Sequence, residues 1–450
     1  MRTERRGRVV RCALLLINHE GGMSQIVTSG SSGKAFDIPK MLIWEAYQKV
    51  KVNKGAAGVD QQSLADFARD EKRNLYKIWN RMSSGSYFPP PVRAVEIPKV
   101  SGGVRILGVP TVSDRIAQTA VAMTLEPEVE PMFHQDSYGY RPGRSALDAV
   151  AVCQKRCWQS QWVIDLDIRG FFDNVPHDPI LRAVEKHTDK PWVLLYVRRW
   201  LTASVQLPDG ALVTRDRGTP QGSAISPLLS NLFMHYAFDD WLARMQPMVR
   251  FERYCDDVIV HCVSEKQAHY IKRSIKERLA RLGLELHPEK TKIVHCVQDG
   301  RTRCRQVVEF TFLGYTFQPR YSRLRDGRWK TGFLPAVSKA AKIAMARVIR
   351  GWRLGRRTDL SFRELATMIN RVVAGWINYY GRFYKSLLIG FLADRINPHL
   401  VKWASRKFKH LHRAPAKARK RLAQIATEYP GIFAHWRHGA LPSGSTMGAV

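Results

Sequence analysis

The sequence has few cysteines, and they do not form a recognisable framework. Its 450 residues include seven cysteines, with no Cys-x-x-Cys pair and no cluster with histidine at the spacing of a zinc site. An odd, scattered set is typical of a reducing compartment and argues against a disulfide scaffold. Long apolar runs are also missing, and residues 13–17 are too short for the core of a signal peptide. The sequence therefore predicts a soluble protein of the cytoplasm, with no membrane partner.

Acidic residues are scarce as well. The chain has 39 Asp and Glu against 72 Lys and Arg, which gives a net charge of +33 and an isoelectric point near 10.2. Residues 338–421 contain 21 Lys and Arg against three Asp and Glu, so this short segment holds more than half of the excess. A surface that is merely solvated usually mixes both signs, whereas a one-sign segment favours phosphate binding. The charge therefore predicts a polyanionic partner, most simply nucleic acid.

Changes of pattern divide the chain into five parts. Residues 1–34 have the Gly and Ser composition of a flexible leader, and residues 35–91 form a predicted helical extension. Residues 92–318 mix helices with predicted strands at 92–98, 104–107, 162–167, 253–262 and 309–317. Residues 319–425 are predicted to be helical and basic, followed by a tail at 426–450. The fold class expected is an α+β core with a helical appendage.

Two adjacent carboxylates, Asp256 and Asp257, lie in an apolar run that alternates like a β-strand. Asp is depleted in strands, so the pair either occupies a solvated hairpin turn or binds a cation. A second acidic strand ends at Asp167, where an unpaired carboxylate would be costly. If the three carboxylates meet in one sheet, they would suit two Mg²⁺ ions roughly 3.5–4 Å apart, as in phosphoryl transfer. For Asp167 alone, a strand-end cap is the alternative interpretation.

Two loops add evidence for a phosphate-bearing substrate. A three-residue hairpin loop at 101–103 would place Lys99 opposite Arg105, and like charges across a hairpin are destabilising unless an anion such as a triphosphate lies between them. The alternative is a pair of exposed cations. In the sequence GTPQGSAISP at residues 218–227, glycine and proline impose a defined loop before a helix. This loop is expected to present Gln221 to a substrate.

Taken together, these segments resemble the reverse transcriptases encoded by bacterial group II introns. The matching motifs occur in the family's order along nearly the whole chain. They are KGAAGVD at 54–60, VRILGVP at 104–110, SYGYRPGR at 137–144, DIRGFFD at 167–173, TPQG at 219–222, YCDD at 254–257, LELHPEKTK at 284–292, FLGY at 312–315 and GWINYYG at 375–381. An isolated Asp-Asp pair is weak evidence, whereas the ordered series is specific.

The resemblance implies a right-hand polymerase in the bacterial cytoplasm, with an antiparallel sheet in its fingers and palm (92–318) and an all-helical, basic thumb or maturase domain (319–425). It also implies two Mg²⁺ ions, with Mn²⁺ as a substitute, held by the catalytic residues Asp167, Asp256 and Asp257. The dNTP-binding residues it implies are Lys99, Arg105, Phe171, Phe172, Gln221 and Lys290. Phe172 would exclude a ribose 2′-OH, unless it is an ordinary core residue.

The same resemblance implies contacts with nucleic acid in the last third of the chain. The residues concerned are Leu313, Gly314, Tyr315, Trp376, Tyr379, Tyr380, Arg406, Lys407 and Lys409. The implied partners are an RNA template, group II intron RNA, a DNA primer and target, and dNTPs. Two positions depart from the family: Cys255 replaces the usual Ala, and Ser223 stands where Gly is common. Residues 422–450 lack the cysteine pairs and the His-Asn cluster of an endonuclease domain, so no endonuclease activity is expected.

Three functions are compatible with the sequence. The first is an intron-encoded reverse transcriptase that also assists splicing and mobility. The second is a free-standing relative that acts in DNA repair or phage defence. The third is a non-catalytic RNA-binding splicing factor, which the intact carboxylates disfavour.

Overall fold

Helices and strands are interspersed up to Val337, and the described elements after it are helices. The computed structural model describes residues 34–98, 103–297, 307–323 and 327–442. The α-helices are α1 (Lys40–Asn53), α2 (Leu64–Arg69), α3 (Glu71–Ser83), α4 (Val112–Val129), α5 (Ala146–Gln159), α6 (Phe171–Asn174), α7 (His177–Glu185), α8 (Pro191–Leu201), α9 (Ser226–Met234), α10 (Asp240–Met245), α11 (Glu265–Ala280), α12 (Lys339–Gly351), α13 (Phe362–Tyr380), α14 (Lys385–Lys407) and α15 (Pro415–Glu428). The strands are β1 (Val92–Pro98), β2 (Val104–Val109), β3 (Trp162–Leu166), β4 (Val205–Gln206), β5 (Leu212–Val213), β6 (Arg250–Tyr254), β7 (Asp257–Cys262), β8 (Lys292–His295), β9 (Phe310–Phe312), β10 (Tyr315–Arg323) and β11 (Trp329–Val337).

The described strands form three sheets with the orders β2-β1-β4-β5, β6-β7-β3-β8 and β11-β10-β9. In the second of these, the palm sheet, all neighbouring strands are antiparallel. In the first sheet, β1 pairs with β4 in parallel and with β2 antiparallel. The predicted α+β class with an antiparallel palm sheet is confirmed.

The alternation in β3 sends its side chains into two apolar clusters. Ile164 and Leu166 are buried in the main core, which also contains residues of α1, α4, α8 and α9. Val163, on the opposite face, belongs to a smaller cluster that joins α5 to β9, β10 and β11. Asp165 and Asp167 share the parity of Val163, and both keep partial exposure. The two-residue period of the strand therefore places these carboxylates beyond a buried apolar patch on one face.

The N-terminal helical extension is packed onto α4 rather than standing apart. Arg115 of α4 donates to the carbonyl oxygens of Lys54 and Ala56 at 3.1 and 3.0 Å. A Cβ at Gly58 would lie 2.6 Å from the backbone N of Thr111. The KGAAG motif thus forms a tight contact between this extension and α4, the helix that follows β2.

The boundaries of the last domain differ from those predicted. The all-helical prediction is wrong for residues 319–337, because β10 and β11 pair from Tyr315 to Val337 and bury Phe317 and Phe333 between them and α5. Helix begins only at Lys339, where Ser338 accepts a hydrogen bond at the N-cap. The predicted leader at 1–34 lies outside the described residues except for its last residue.

The predicted C-terminal tail also belongs to the thumb. Helix α15 continues to Glu428, and Phe433 and Trp436 are buried against α13 and α14 with exposures of 0% and 1%. Two large aromatic side chains in a core remove far more apolar surface from water than a loose tail would. The described residues up to 442 therefore complete the thumb core.

Candidate active site

The β6–β7 hairpin carries the paired carboxylates. Tyr254 pairs with Asp257, so Cys255 and Asp256 form the turn. In the neighbouring strand, Leu166 pairs with Val258, and one further step in this register places Asp167 opposite Asp257. Opposed residues of an antiparallel pair project to the same face of the sheet. The predicted hairpin turn is thus present at Asp256, and it lies beside a third carboxylate, as the cation-binding interpretation requires.

A buried arginine holds this turn from behind. Arg253, which is fully buried, donates to the carbonyl oxygen of Cys255 at 2.9 Å. It pairs with both carboxylate oxygens of Asp239 at 2.7 and 2.6 Å. Its remaining donors reach Asn231 at 2.9 Å and Ser137 at 2.7 Å. Since every donor of the guanidinium has a partner, the pair is a rigid support for the hairpin.

Cys255 takes an unusual backbone conformation at the turn. Its φ of +61° lies in the left-handed region that side chains other than glycine rarely adopt. The residue is 6% exposed, and a Cβ at Gly139 would lie 2.6 Å from its N and Sγ atoms. Gly139, the first glycine of the SYGYRPGR motif, is therefore required for the carboxylate hairpin to pack at this distance.

The carboxylates crowd one another. Removal from water, then the charges of Asp256 and Asp167, raise the pKa of Asp257 to about 6, although the residue keeps an exposed surface. Burial raises the pKa of Asp256 as well. Asp165, which sequence reasoning did not select, has its pKa raised to about 7 by burial and then by Asp257 and Asp167. The available signal for Asp165 was that it shares the parity of Asp167 in the strand.

Cations among the described residues offset part of this charge. Lys290 Nζ lies 3.4 Å from Asp167 Oδ2, and both side chains are partly exposed. Arg105 on β2 is close enough to lower the pKa of Asp256, against the larger effect of burial. A nearby positive charge stabilises the ionised form of carboxylates whose pKa values are raised. Their hard oxygen atoms are also the ligands that Mg²⁺ prefers. The residues present therefore fit the predicted divalent metal.

A cavity of about 230 Å³ lies between β2, α6 and the loop at residues 218–221. Its lining includes Ile106, Phe172, Arg215, Arg217 and Gln221. An apolar wall with a few convergent polar groups is typical of a small-molecule site. Two of the residues predicted to bind a dNTP, Phe172 and Gln221, therefore line the same cavity.

Glycines let the loop of this cavity approach its walls closely. A Cβ at Gly218, whose φ is +81°, would lie 2.8 Å from the carbonyl oxygen of Phe172. A Cβ at Gly222, whose φ is +107°, would lie 2.5 Å from the carbonyl oxygen of Gly108. Gly108 N in turn donates to the carbonyl oxygen of Gln221 at 2.7 Å. These contacts define the loop conformation and hold Gln221 at the cavity.

The two adjacent phenylalanines have different environments. Phe171 is 2% exposed in the main core, so the prediction that it contacts a dNTP is not supported. Phe172 is partly buried, borders the cavity and packs edge-to-face on Phe171 at 5.3 Å. Successive residues of a helix point in different directions. Phe171 therefore packs in the core, while Phe172 faces the cavity.

The β1–β2 hairpin differs from its predicted register. Ile97 pairs with Arg105 and Pro98 with Val104, so the predicted pairing of Lys99 with Arg105 is wrong. The shift is two residues, an even number, so the faces of the strands are unchanged. Lys99 itself lies outside the described residues. Arg105 is exposed, and its influence on Asp256 places its charge near the carboxylates.

The FLGY motif forms the turn between β9 and β10. Leu313 and Gly314 have φ values of +51° and +80°, and both are partly exposed. Tyr315 is fully buried, and its hydroxyl donates to the carbonyl oxygen of Tyr379. Tyr379 donates back to the carbonyl oxygen of Leu313 at 2.9 Å, and a Cβ at Gly314 would lie 3.0 Å from Tyr380 Oη. Because Tyr315 is buried, the structure does not support its predicted primer contact, and Tyr379 and Tyr380 connect the thumb to this turn.

Two other predicted RNA contacts are used inside the thumb. Trp376 stacks on Trp352 with ring centroids 5.7 Å apart. Lys407 Nζ donates to the carbonyl oxygens of Thr358 and Leu360 at 3.1 and 2.6 Å. These side chains stabilise the fold, so their assignment to RNA is not supported.

A basic cleft lies on the thumb surface and is lined by Arg353, Arg356, His399, Lys402 and Arg406. We call it the thumb cleft. Arg406 Nη1 donates to the carbonyl oxygen of Gly355 at 2.8 Å. Within the described residues, no carboxylate forms an ion pair with any of its four Lys and Arg side chains. The cleft thus has the charge that a phosphate group requires. Lys409 is exposed outside it.

A further group of metal-ligand types is buried where α5 meets β6 and β7, and it consists of Cys153, Glu252 and His261. Glu252 already accepts from Arg156 at 2.6 Å and lies 2.6 Å from His261 Nε2. Arg156 also donates to Asp136 at 2.9 Å. The carboxylate is therefore paired within the protein, and the group is a hydrogen-bonded support for the palm sheet.

An antiparallel sheet with clustered carboxylates, a cavity beside a glycine-bounded loop and a basic helical domain define a nucleic-acid polymerase. The family described as "Reverse transcriptase (RNA-dependent DNA polymerase)" matches residues 97–317, and "Group II intron, maturase-specific domain" matches residues 343–422. The chain belongs to the reverse transcriptase family, with the maturase-specific domain of group II introns, and its enzyme class is RNA-directed DNA polymerase. Members of this family depend in general on divalent metal ions.

Individual relatives are similar over much of their length. "Group II intron-encoded protein LtrA" of Lactococcus lactis subsp. cremoris is 27% identical over 427 residues, covering 76% of this chain and 68% of that protein. "Protein YkfC" of Escherichia coli (strain K12) is 31% identical over 292 residues, covering 56% and 74%. Telomerase from Candida albicans matches with a TM-score of 0.42 and 11% identity, covering 84% of this chain and 68% of that chain.

Within the described ranges, none of the helices combines the length and apolar character that crossing a membrane requires.

Proposed function

We propose that the protein extends a DNA primer with dNTPs on an RNA template, and that it binds group II intron RNA to assist splicing and mobility. The observation that carries the polymerase proposal is the convergence of Asp167, Asp256 and Asp257 at one end of the palm sheet. The thumb cleft supports the RNA-binding part, because its cations have no carboxylate partners among the described residues.

The residues around the carboxylates would divide the work of phosphoryl transfer. Asp167 and Asp256 would hold two Mg²⁺ ions, with Asp257 contributing to the same site. The bound metal would lower the pKa of the primer 3′-OH and neutralise the charge that develops on the phosphates. Arg105 would contact the triphosphate, and Gln221 would contact the nucleotide from the cavity wall. Lys290, whose Nζ lies 3.4 Å from Asp167 Oδ2, would contact or protonate the departing pyrophosphate.

The proposed polymerase activity is tested by primer extension with oligo(dT) on poly(rA), dTTP and Mg²⁺. We expect incorporation that requires the metal and stops when a chelator is added. Absence of incorporation with Mg²⁺ and with Mn²⁺ would contradict the proposal.

Phe172→Ala is expected to weaken discrimination against ribonucleotides. The ring borders the cavity, so its loss opens space where a ribose 2′-OH would lie, and rNTP use should rise about tenfold or more relative to dNTP. The measurement is the ratio of kcat/KM for rTTP and dTTP. Phe36→Ala is the matched control, because Phe36 is another partly buried phenylalanine of the same core. Equal ratios in the two variants would make Phe172 an ordinary core residue.

A free-standing enzyme without an intron is the second candidate, favoured by Cys255 in place of the usual Ala. The flanking DNA separates the two proposals. If this DNA encodes a group II ribozyme around the reading frame, the maturase role is supported. If no such ribozyme surrounds the reading frame, the free-standing role is supported.

A further inference from the structure

A buried amide connects a buried carboxylate to the loop of the cavity. Gln118 on α4 is 1% exposed, and its Nε2 donates to Asp114 Oδ2 at 2.8 Å. Its Oε1 accepts from Ser223 Oγ at 2.6 Å and from Ala224 N at 2.8 Å. One side chain therefore joins α4 to residues 219–224, the segment that includes Gln221.

Asp114 determines which way this amide points. Asp114 is 1% exposed, and its Oδ1 accepts from Tyr87 Oη at 3.0 Å and from Trp200 Nε1 at 2.7 Å. A carboxylate accepts hydrogen bonds, so the Gln118 group facing it must be the NH₂. The amide oxygen then faces the loop, where both neighbours donate. The reversed amide would place oxygen against carboxylate and nitrogen against the N–H of Ala224.

We propose that Asp114 and Gln118 are positioning residues for the incoming nucleotide. Acting through Ser223 and Ala224, they hold the loop so that Gln221 stays at the cavity wall. Neither residue borders the cavity, so their effect on a nucleotide must pass through the loop. The inference rests on the proposed function, because it takes the cavity to be the nucleotide site.

Among the described residues, the other hydrogen bonds that join residues 219–224 to the rest of the protein are made by Thr219 and Gln221. Gly108 N binds the carbonyl oxygen of Gln221, and Thr219 N donates to the carbonyl oxygen of Phe172 at 2.7 Å. Both contacts use backbone atoms at or before Gln221, whereas Gln118 holds the segment after it. Removing this second anchor frees one end of a short loop, and a small displacement of a contact residue weakens substrate binding.

Gln118→Ala is therefore expected to raise the KM for dNTP about tenfold, with kcat changed by about twofold at most, since buried donors on the loop lose their acceptor. Ser223→Ala should give a smaller increase, because the bond from Ala224 N remains. The double variant should show little more than the effect of Gln118→Ala, since both changes remove members of one network.

The thumb offers a matched control. Asn397 Oδ1 lies 3.0 Å from both His435 Nε2 and Trp436 Nε1, and its Nδ2 donates to the carbonyl oxygen of Ala440 at 3.0 Å. Asn397→Ala removes a buried amide with the same number of bonds but remote from the cavity. It should lower the Tm as Gln118→Ala does, while the KM for dNTP stays at the wild-type value. A similar KM in the two variants would refute the positioning role.

Gln118→Glu tests the direction of the network without loss of volume. The new carboxyl can still accept from the loop, but it faces Asp114, so the two groups must share a proton. Burial raises the pKa of Asp114 to about 6, and the contacting Tyr87 stays neutral because burial keeps its pKa well above the usual range. The ratio of variant to wild-type KM should therefore rise as the pH is raised and the shared proton is lost. A ratio independent of pH would contradict the network.

Hydrogen exchange separates this inference from the proposed function, because it needs no substrate. Gln118→Ala should speed exchange of the peptide covering residues 219–225, and Asn397→Ala should not. If wild type incorporates no dNTP but the loop exchanges faster in Gln118→Ala, the proposed function fails and the anchor stands. If wild type is active and neither exchange nor KM responds to Gln118→Ala, the positioning role is wrong.

Discussion

Asp256→Asn is expected to reduce dNTP incorporation on a primed RNA template by roughly a thousandfold or more. Asp256 lies at the turn of the hairpin, next to Asp257, which the register places opposite Asp167, so Asp256 is proposed to bind both metal ions. Stabilisation by metal of the charge developed in phosphoryl transfer is worth several kcal/mol, and each 1.4 kcal/mol or so is a tenfold change in rate. The measurement is single-nucleotide incorporation with Mg²⁺ at saturating dNTP.

The same variant should keep its fold and its affinity for RNA. Burial raises the pKa of Asp256, so the charged form is disfavoured in the folded state, and a neutral amide removes that penalty at pH 7. The Tm should be equal to that of wild type or higher. Asp178→Asn, an exposed position on α7, is the control and should leave incorporation unchanged. Retained polymerisation in Asp256→Asn would end the assignment of this hairpin as the metal site.

Neutralising the thumb cleft is expected to weaken RNA binding and its dependence on salt. In a variant with Arg353, Arg356 and Lys402 replaced by Gln, three cations without carboxylate partners among the described residues are lost. Each phosphate contact contributes roughly 0.7–0.9 to the slope of log affinity against log salt, so the slope should fall by about two to three units. Arg406 is retained because its bond to Gly355 supports the fold.

A charge-matched variant on α15 makes this result specific to the cleft. Lys417, Arg419 and Lys420 are exposed, and replacing them with Gln removes the same charge from the same domain. Affinity for a structured intron RNA and for an unrelated RNA of equal length should fall more in the cleft variant, by similar factors for both RNAs. Equal losses in the cleft and α15 variants would mean that binding depends on diffuse charge, and identical slopes in all three proteins would place the RNA elsewhere.

Some of the site was readable from the sequence because its signals are local. The alternation around Asp167, the hairpin at Asp256 and the glycines flanking Gln221 each require only a few neighbouring residues, and the structure brings them to the predicted elements. Asp165 was within reach of the same reasoning, since it shares the parity of Asp167. Gln118 was not, because its partner Ser223 lies in the loop before α9, more than a hundred residues away along the chain.

The errors have a common physical origin. Tyr315, Tyr379 and Lys407 belong to residue types that bind nucleic acid, but their polar atoms are used by backbone carbonyl groups of the protein. Whether a tyrosine hydroxyl or a lysine amine meets a ligand or the chain itself depends on which distant segment packs beside it. Composition and spacing carry no information about that choice.

By itself, the amino-acid sequence determined the family, the α+β class and the three carboxylates, because motif order, alternation and charge are properties of the chain that packing does not alter. The tertiary structure alone decided the register of the β1–β2 hairpin, the extension of strand structure to Val337 and the inclusion of Trp436 in the thumb core. It also decided which cations of the thumb cleft lack a carboxylate partner among the described residues. These outcomes depend on contacts between residues far apart in the chain, whose free energies become comparable with local preferences only when the fold has formed.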